Sequence, residues 1–501
     1  MVRALLVCAL AGGCGRLGFD PRSGGGDDAG GNRALTLAYP RDAVAAVLGV
    51  TPIALAPMVS DPTARFSVAP ALPGGLGLDP VTGEVAGIPT EVADGIAYAI
   101  TATTATATAT AALALTVLPG YVVDTTADDP DADGGANATC MTAAGRCSLR
   151  AAIQTVDTRT TKQLVLLDAA DYALDAALDP IAQDVAIVGA GAAATSIRAA
   201  TLHAPYPAFT LAVSATLALR DLDIRDFGGT DGGALAVTAG TLDVDRCAFD
   251  NNASPGSGGV LFINGGAHAT FAHAMFTANA SLGGSGGGWG GVIDGEGAGT
   301  AIVVRQSAAT ANTTAWGAFS HITTGTTLWL ENSTLYANTS TTAGTLATPG
   351  GIYTLVNATI VNNSNTNPTP DTAGIYLFSV PCSYTVTSSL VAGNLDVNRN
   401  ESDCHRRDLA TTITSGGGNL FGDPAANCAT YFTAPGDRLA TDPLLDPAGA
   451  GDHGGPTPTV LVLPGSPAID GGDDAACPAV DQRGVARPRG AHCDIGAVEL
   501  P

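Results

Sequence analysis

The feature that most constrains the fold is a ten-residue pattern in which an asparagine follows an apolar residue by three positions, and which returns every 25–33 residues. Periods of this length are typical of solenoids, in which each repeat forms one coil that stacks on the next. We align the copies on the apolar residues Ile224, Phe249, Phe276, Ala309, Leu335, Ile360 and Leu390. The asparagines are Asn252, Asn279, Asn312, Asn338 and Asn363; the first copy has Phe227 in that place, and Asn394 in the last copy is displaced by one.

Between residues 161 and 400, short strand-like runs are broken by glycine and asparagine, which favours a parallel β-helix. Asparagine tolerates the left-handed backbone of tight turns, and stacked asparagines can form a ladder of side-chain hydrogen bonds. We therefore predict that Leu335 points inward and that Asn338 lies in a turn column with Asn312 and Asn363. The pattern resembles the right-handed parallel β-helix repeat family, which includes the pectin-lyase-like fold. The resemblance implies a single-stranded right-handed parallel β-helix over residues 161–400.

Residues 34–118 show strand-like alternation and turns before this region. Threonine alternates with alanine at 101–112, a period of two that indicates a strand with one polar face. The stretch "FSVAPALPGGLGLDPVTGEVAGIPT" at 66–90 resembles the immunoglobulin-like (cadherin-like) domains of bacterial surface proteins. The resemblance implies a β-sandwich that serves as a spacer. The expected fold class is therefore all-β, an immunoglobulin-like sandwich followed by a parallel β-helix.

Two further segments flank the repeats. "CSLRAAIQ" at 147–154 resembles the CSLREA domain found before β-helical surface domains, so residues 119–160 are expected to cap the helix. Ser148 would cap a short α-helix, although Ala151 stands where the family has glutamate. Residues 401–501 resemble the choice-of-anchor Q domain through "DHGGPTPTVLVLPGSPAIDGG" and "DQRGVARPRGAHCDIGAVE". The arginines of the second motif are expected to serve that domain and not catalysis.

The first residues predict export. Arg3 precedes a short apolar run, and "LAGGC" resembles a bacterial lipobox, with Ala11 where leucine is usual. The resemblance implies a signal peptide at 1–13, a lipid on Cys14, a flexible tether at 14–33, and an outer-membrane or cell-surface location. Ordinary secretion is the alternative.

Cysteine positions agree with an oxidising compartment. Close spacing predicts disulfides between neighbouring cysteines, and Cys247, on an apolar repeat position, is expected to be a buried thiol. The predicted pairs are Cys140–Cys147, Cys404–Cys428 and Cys477–Cys493.

The net charge of the chain restricts the classes of partner that it can bind. Its formal net charge is −24 and Lys162 is its single lysine, so the basic footprint that nucleic acids require is missing. A polyanionic ligand is also disfavoured unless a cation bridges it.

A calcium site is a minor hypothesis. Asp129, Asp131, Asp133 and Gly134 fit the first half of a D-x-D-x-D-G loop, but Cys140 stands where an EF-hand has its bidentate glutamate. We expect no other cofactor.

The coils that break the repeat carry the candidate ligand-binding residues, which are Trp289, Asp294, Glu296, Arg305 and Trp329. Exposed aromatic rings can stack on sugars, whereas packing within the core or a loop is the more common role. The acid-pair and Gly-His-Gly motifs of β-helix hydrolases do not occur in order, so we assign no catalytic residue. His268, His273 and His321 are interpreted as surface histidines. The sequence thus predicts a surface lipoprotein acting as an adhesin, a glycan-binding protein or a structural element. The alternative is a polysaccharide lyase or glycoside hydrolase.

Overall fold

A computed structural model describes residues 34–283, 288–367, 372–378, 382–407, 411–423 and 428–501. Within these ranges, most of the chain forms a parallel β-helix whose coils contribute strands to sheets of eleven, ten, eight and five strands. The predicted fold class, an all-β chain with a sandwich followed by a parallel β-helix, is confirmed. No helix of the described residues is long and apolar enough to span a membrane.

The strands of the eleven-stranded sheet are Gly120–Val123, Gln163–Leu167, Val185–Val188, Thr216–Arg220, Thr241–Asp245, His268–Ala272, Ala301–Arg305, Thr327–Glu331, Ile352–Val356, Ser383–Thr387 and Thr412–Gly417. Those of the ten-stranded sheet are Asp171–Leu174, Ser196–Ala199, Asp223–Arg225, Ala248–Asp250, Met275–Thr277, Ala308–Thr310, Thr334–Tyr336, Thr359–Val361, Leu390–Ala392 and Leu420–Phe421. The eight-stranded sheet comprises Phe209–Leu211, Leu235–Val237, Leu261–Ile263, Ile293–Gly295, Ser320–Ile322, Leu346–Thr348, Ile375–Leu377 and Cys404–Arg406. The five-stranded sheet comprises Ala253–Ser254, Ala280–Ser281, Thr313–Trp316, Thr339–Ala343 and Ser364–Asn365.

The repeated asparagines form a continuous buried ladder. The Asn312 Oδ1 accepts bonds from the backbone N–H and the Nδ2 of Asn279, at 2.9 and 3.0 Å, and Asn312 in turn donates both groups to Asn338. Asn394 continues the ladder in register and donates to the carboxylate of Asp403. The predicted column of Asn312, Asn338 and Asn363 is therefore confirmed.

Two details of the predicted repeat are wrong. Ile360 pairs with Val391 and not with Leu390, so Asn394 is not displaced. The left-handed residue of each turn is also not the ladder asparagine but the residue before it. This column of positive φ contains Asp226, Asn251, Ala278, Ala311, Ala337, Asn362 and Gly393. Because the chain turns at the residue before the asparagine, the asparagine side chain points into the coil. There it bonds to the ladder residues of the adjacent coils.

Both ends of the β-helix are covered. The helix Leu149–Val156 is capped by Ser148, whose Oγ accepts from the N–H of Ala151 at 3.0 Å, and its apolar residues pack against the first coil. At the other end, Phe432 packs on Phe421 with ring centroids 4.3 Å apart. The short 3-10 helices are Ala429–Tyr431 and Asp474–Ala476. The three predicted disulfides, Cys140–Cys147, Cys404–Cys428 and Cys477–Cys493, are present.

The sandwich is built from small antiparallel and mixed sheets. The first is ordered Ala43–Val47, Thr108–Leu118, Ala93–Thr103 and Arg65–Ala69; the second Ile53–Leu55, Val85–Gly87 and Leu76–Leu78; a third pairs Leu37–Ala38 with Met58–Val59. The sandwich does not hang free, as a spacer would. Val47 and Leu118 pack on Leu164, Ala186 and Ala218, which face outward from the eleven-stranded sheet.

The C-terminal residues form a lobe on the outer face of the ten-stranded sheet. Its hairpin, Leu445–Gly451 with Thr459–Val462, and Ile495 share a small apolar cluster with Val361 and Leu390. The lobe therefore lies beside the β-helix and not on its end.

Candidate functional site

Trp329 lies on the outer face of the eleven-stranded sheet. It alternates with Leu328 and Leu330, which are buried in the core, so its indole points outward and remains 42% exposed. Its strand neighbours in register are Val303 and Thr354. The alternation of Trp329 with Leu328 and Leu330, which the sequence also displays, therefore places the ring on the outer surface.

Glu331 and Arg305 flank this indole. The Trp329 Nε1–H donates to Glu331 Oε2 at 3.2 Å, which turns the carboxylate toward the indole. Arg305 is the direct register partner of Glu331 on the neighbouring strand. No ion pair of Arg305 within 4.0 Å occurs in the described part of the chain. Its exposed guanidinium therefore faces solvent beside Trp329.

Arg305 and Glu331 also line a groove of about 990 Å³ that three parts of the molecule enclose. The β-helix provides the floor, the sandwich provides one wall, and residues 478–480 of the C-terminal lobe provide another. The lobe is held there by the side-chain amide of Asn332, which donates to the Val480 carbonyl at 2.8 Å.

Charged residues on the groove floor are largely paired with one another. Arg246 donates to both carboxylate oxygens of Asp221 at 2.8 and 3.0 Å and also contacts Asp245. His273 Nδ1 lies 2.8 Å from Asp245, and Arg220 lies 2.6 Å from Asp243. Burial acts to raise the pKa of Asp245, but the hydrogen bond to His273 and the charge of Arg246 outweigh it and lower that pKa. The floor is thus a fixed ionic surface.

Three other candidate residues meet on the opposite side of the coil. Asp294 and His321 occupy register-paired positions of the eight-stranded sheet, and His321 Nδ1 lies 2.7 Å from Asp294 Oδ1. The indole of Trp289 stacks on the imidazole, with centroids 5.3 Å apart and planes 18° apart. The pair is almost fully buried, while Trp289 stays 37% exposed. Burial raises the pKa of Asp294. Burial also raises the pKa of Glu296, and the nearby charge of Asp294 acts in the same direction.

His321 was missed as a member of this cluster, since the sequence alone favours a surface histidine. The pairing with Asp294 depends on the coil register across 27 residues, and the length of each coil varies. The structure therefore separates the five predicted residues into two groups: Trp289, Asp294 and Glu296 on one side of the coil, and Arg305 and Trp329 on the other.

The aspartates of the calcium motif have structural partners. Both carboxylate oxygens of Asp131 accept backbone N–H bonds, from Asp133 and Gly135 on one oxygen and from Met141 on the other. Burial opposes ionisation, but these bonds outweigh it and lower the pKa of Asp131 to about 2. Across the ranges that the structure describes, no group of three His, Cys, Asp or Glu side chains is placed to hold a metal ion.

The remaining singled-out residues take structural positions or lie elsewhere. Arg487 forms a fully buried ion pair with Glu499 at 3.0 Å, which accounts for the arginine-rich motif. Cys247 is a buried thiol whose pKa burial raises to about 12. Cys14 lies outside the described residues.

Comparison with known proteins identifies the first domain. Residues 35–118 match the family model described as "Putative Ig domain". This segment is an immunoglobulin-like domain. Among solved structures, the chain is similar to "Pectin methylesterase from Carrot", with 12% identity and a TM-score of 0.26, over 57% of this chain and 81% of that chain. A search of curated proteins gave no match.

Proposed function

We propose that the protein is a surface lipoprotein, anchored through Cys14, that binds glycans on the outer face of its eleven-stranded sheet. The observation that carries this proposal is Trp329, an exposed indole held on a flat sheet by its bond to Glu331. A held aromatic ring offers an apolar face to the C–H groups of a sugar and loses little conformational entropy on binding.

The coils that follow Trp329 supply polar groups at a regular spacing. The outward column reads Thr270, Val303, Trp329, Thr354 and Thr385, one residue per coil. Adjacent strands lie roughly 4.8 Å apart, so the hydroxyls of Thr354 and Thr385 continue from the indole as a row that an extended saccharide can follow. Arg305 and Glu331 add a donor and an acceptor for sugar hydroxyls at the side of the row.

A glycan array probed with the whole exported chain tests this function. We expect binding to a subset of glycans, and Trp329→Ala should weaken it about tenfold or more, which corresponds to a loss of roughly 1.4 kcal/mol. Trp289→Ala is the matched control, because that indole is similarly exposed but lies on the other side of the coil. No bound glycan, or equal affinity of the Trp329→Ala variant, would contradict the proposal.

The anchor is tested separately. Metabolic labelling with palmitate should mark the wild type, and Cys14→Ala should abolish the label and release the protein from the membrane fraction. Unchanged localisation of Cys14→Ala would remove the lipid anchor from the proposal. The catalytic alternative predicts new reducing or unsaturated ends when the same glycans are incubated with the protein.

A further inference from the structure

The immunoglobulin-like domain has a free sheet edge. Ala43–Val47 is the outermost strand of its sheet and pairs, in parallel, only with Thr108–Leu118 among the strands of the described chain. Asp42 accepts from the N–H of Ala114, and Leu48 donates to the carbonyl of Leu118. Because successive peptide groups alternate between the two edges of a strand, the main-chain groups of Ala43, Ala45 and Val47 face the other way.

Only part of that outer edge is satisfied internally. The Val47 carbonyl accepts from the N–H groups of Val50 and Thr51, and its N–H donates to Thr51 Oγ1 at 3.2 Å. Within the described residues, the N–H and C=O groups of Ala43 and Ala45 make no hydrogen bond. The edge therefore offers two donors and two acceptors at the spacing of a β-strand.

These groups line the groove between the domain and the β-helix. Ala45 and Val47 belong to the apolar contact with Leu164, Ala186 and Ala218, so this sheet lies with its face on the β-helix. A strand added beside Ala43 would continue the same sheet across the groove floor. The open edge is thus continuous with an interface that the molecule already uses.

We propose that the groove binds an extended peptide segment of a partner protein, which pairs with the Ala43–Val47 edge by β-strand addition. Strand addition takes its affinity from main-chain bonds and its specificity from alternate side chains. Those side chains would face a floor on which Arg220 is already paired with Asp243, and Arg246 with Asp221 and Asp245. Uncharged polar side chains at alternate positions of the peptide suit such a floor, because they can bond to it without leaving a charge unpaired.

Proline at position 43 tests the pairing directly. Ala43→Pro removes the main-chain N–H of residue 43, which faces the groove. It breaks no hydrogen bond to the strand Thr108–Leu118, and proline is tolerated at the first residue of an edge strand. The matched control is Ala105→Pro, an exposed alanine in the turn of the same domain that lies away from the groove. The probe is a phage-displayed library of random short peptides selected on the whole chain, with the enriched peptides then synthesised and titrated.

We expect the selected peptides to bind wild type and Ala105→Pro equally and Ala43→Pro at least tenfold more weakly. Their binding should also slow hydrogen exchange at the amides of Ala43 and Ala45 in the wild type, a readout that does not depend on the variant folding. No enriched peptide, unchanged affinity of Ala43→Pro, or unprotected amides would overturn the proposal. Trp329→Ala should leave peptide affinity unchanged, so this result is independent of the glycan site.

Discussion

At the scale of single residues, the turns before three of the ladder asparagines place alanine in a conformation that L-residues avoid. Ala278, Ala311 and Ala337 have φ values near +54° to +57°. A left-handed backbone costs an L-residue roughly 1–2 kcal/mol, and asparagine reduces this cost by bonding locally. Asn251, in the same column, bonds instead to the neighbouring coil, from its Nδ2 to Asp226 Oδ1 at 2.7 Å.

We therefore predict that Ala337→Asn stabilises the β-helix. The expected gain in the free energy of unfolding is about 0.5–1 kcal/mol, a part of the cost of the left-handed backbone. Chemical denaturation followed by circular dichroism measures it. Ala337→Val, which places a β-branched residue at the same positive φ, should lower the stability. If both variants behave alike, the backbone explanation is wrong.

Asp403 ends the asparagine ladder with a carboxylate that is buried. Burial, together with the charge of Glu401, raises the pKa of Asp403 to about 8, although bonds from Asn394 and from the N–H of Asp423 act in the opposite direction. In the unfolded chain an aspartate has a pKa of about 3.9. The folded state therefore binds this proton more tightly than the unfolded state does.

It follows that Asp403 lowers the free energy of unfolding as the pH rises from about 4 to about 8. Asp403→Asn does not titrate, so the stability of this variant relative to wild type should improve across that window. Urea denaturation at a series of pH values measures the difference. A difference that stays constant with pH would show that Asp403 is ionised at an ordinary pKa in the folded protein.

At the scale of elements, the ladder predicts different costs for the loss of an interior and of a terminal asparagine. Asn312→Ala would leave the N–H and the Nδ2 of Asn279 without their acceptor, and the Phe276 carbonyl without its donor. Asn252→Ala would leave two groups unpaired, the N–H of Phe227 and the Ile224 carbonyl, against three for Asn312→Ala. Each buried group left unpaired costs about 1–3 kcal/mol.

Asn312→Ala should therefore lower the melting temperature of the β-helix clearly more than Asn252→Ala. Calorimetry of both variants against Asn398→Ala, an asparagine in an exposed turn, gives the comparison. Equal losses at positions 312 and 252 would argue that the asparagines fill space without acting as a hydrogen-bonded column.

The same elements show what the sequence can and cannot predict. The solenoid and its asparagine column follow from a period that the residues display directly. The sequence pattern aligns the last coil one residue early, because Leu390, Val391 and Ala392 are all apolar and the local pattern does not distinguish them. Asp294 and His321 meet only because the coil that joins them returns to the same register after 27 residues, and the sequence does not show this register because coil length varies. Side-chain clusters of that kind become visible only when the coils are assembled.

At the scale of the whole molecule, the groove exists only because the immunoglobulin-like domain is docked. Its contacts include the apolar patch around Leu164, the hydrogen bond from Arg41 to the Ala190 carbonyl at 3.2 Å, and the pair of Lys162 with Asp94, in which Nζ lies 2.9 Å from both carboxylate oxygens. Both partners of the ion pair are part-exposed, with side-chain exposures of 29% and 48%. Such pairs contribute roughly 0–1 kcal/mol, whereas burying one leucine side chain contributes about 1.5–3 kcal/mol.

Docking should therefore depend on the leucine more than on the lysine. Leu164→Asp places a charge against Val47 and Leu118, and we expect it to release the domain while both parts stay folded. Small-angle X-ray scattering should then show a larger radius of gyration, and calorimetry an earlier, separate transition for the domain. Lys162→Gln should change neither quantity measurably.

Because the released domain carries the Ala43–Val47 edge away from the groove floor, Leu164→Asp should also weaken the binding of peptides that were selected on the wild type. A scattering curve identical to that of the wild type would show that the apolar patch does not hold the two parts together.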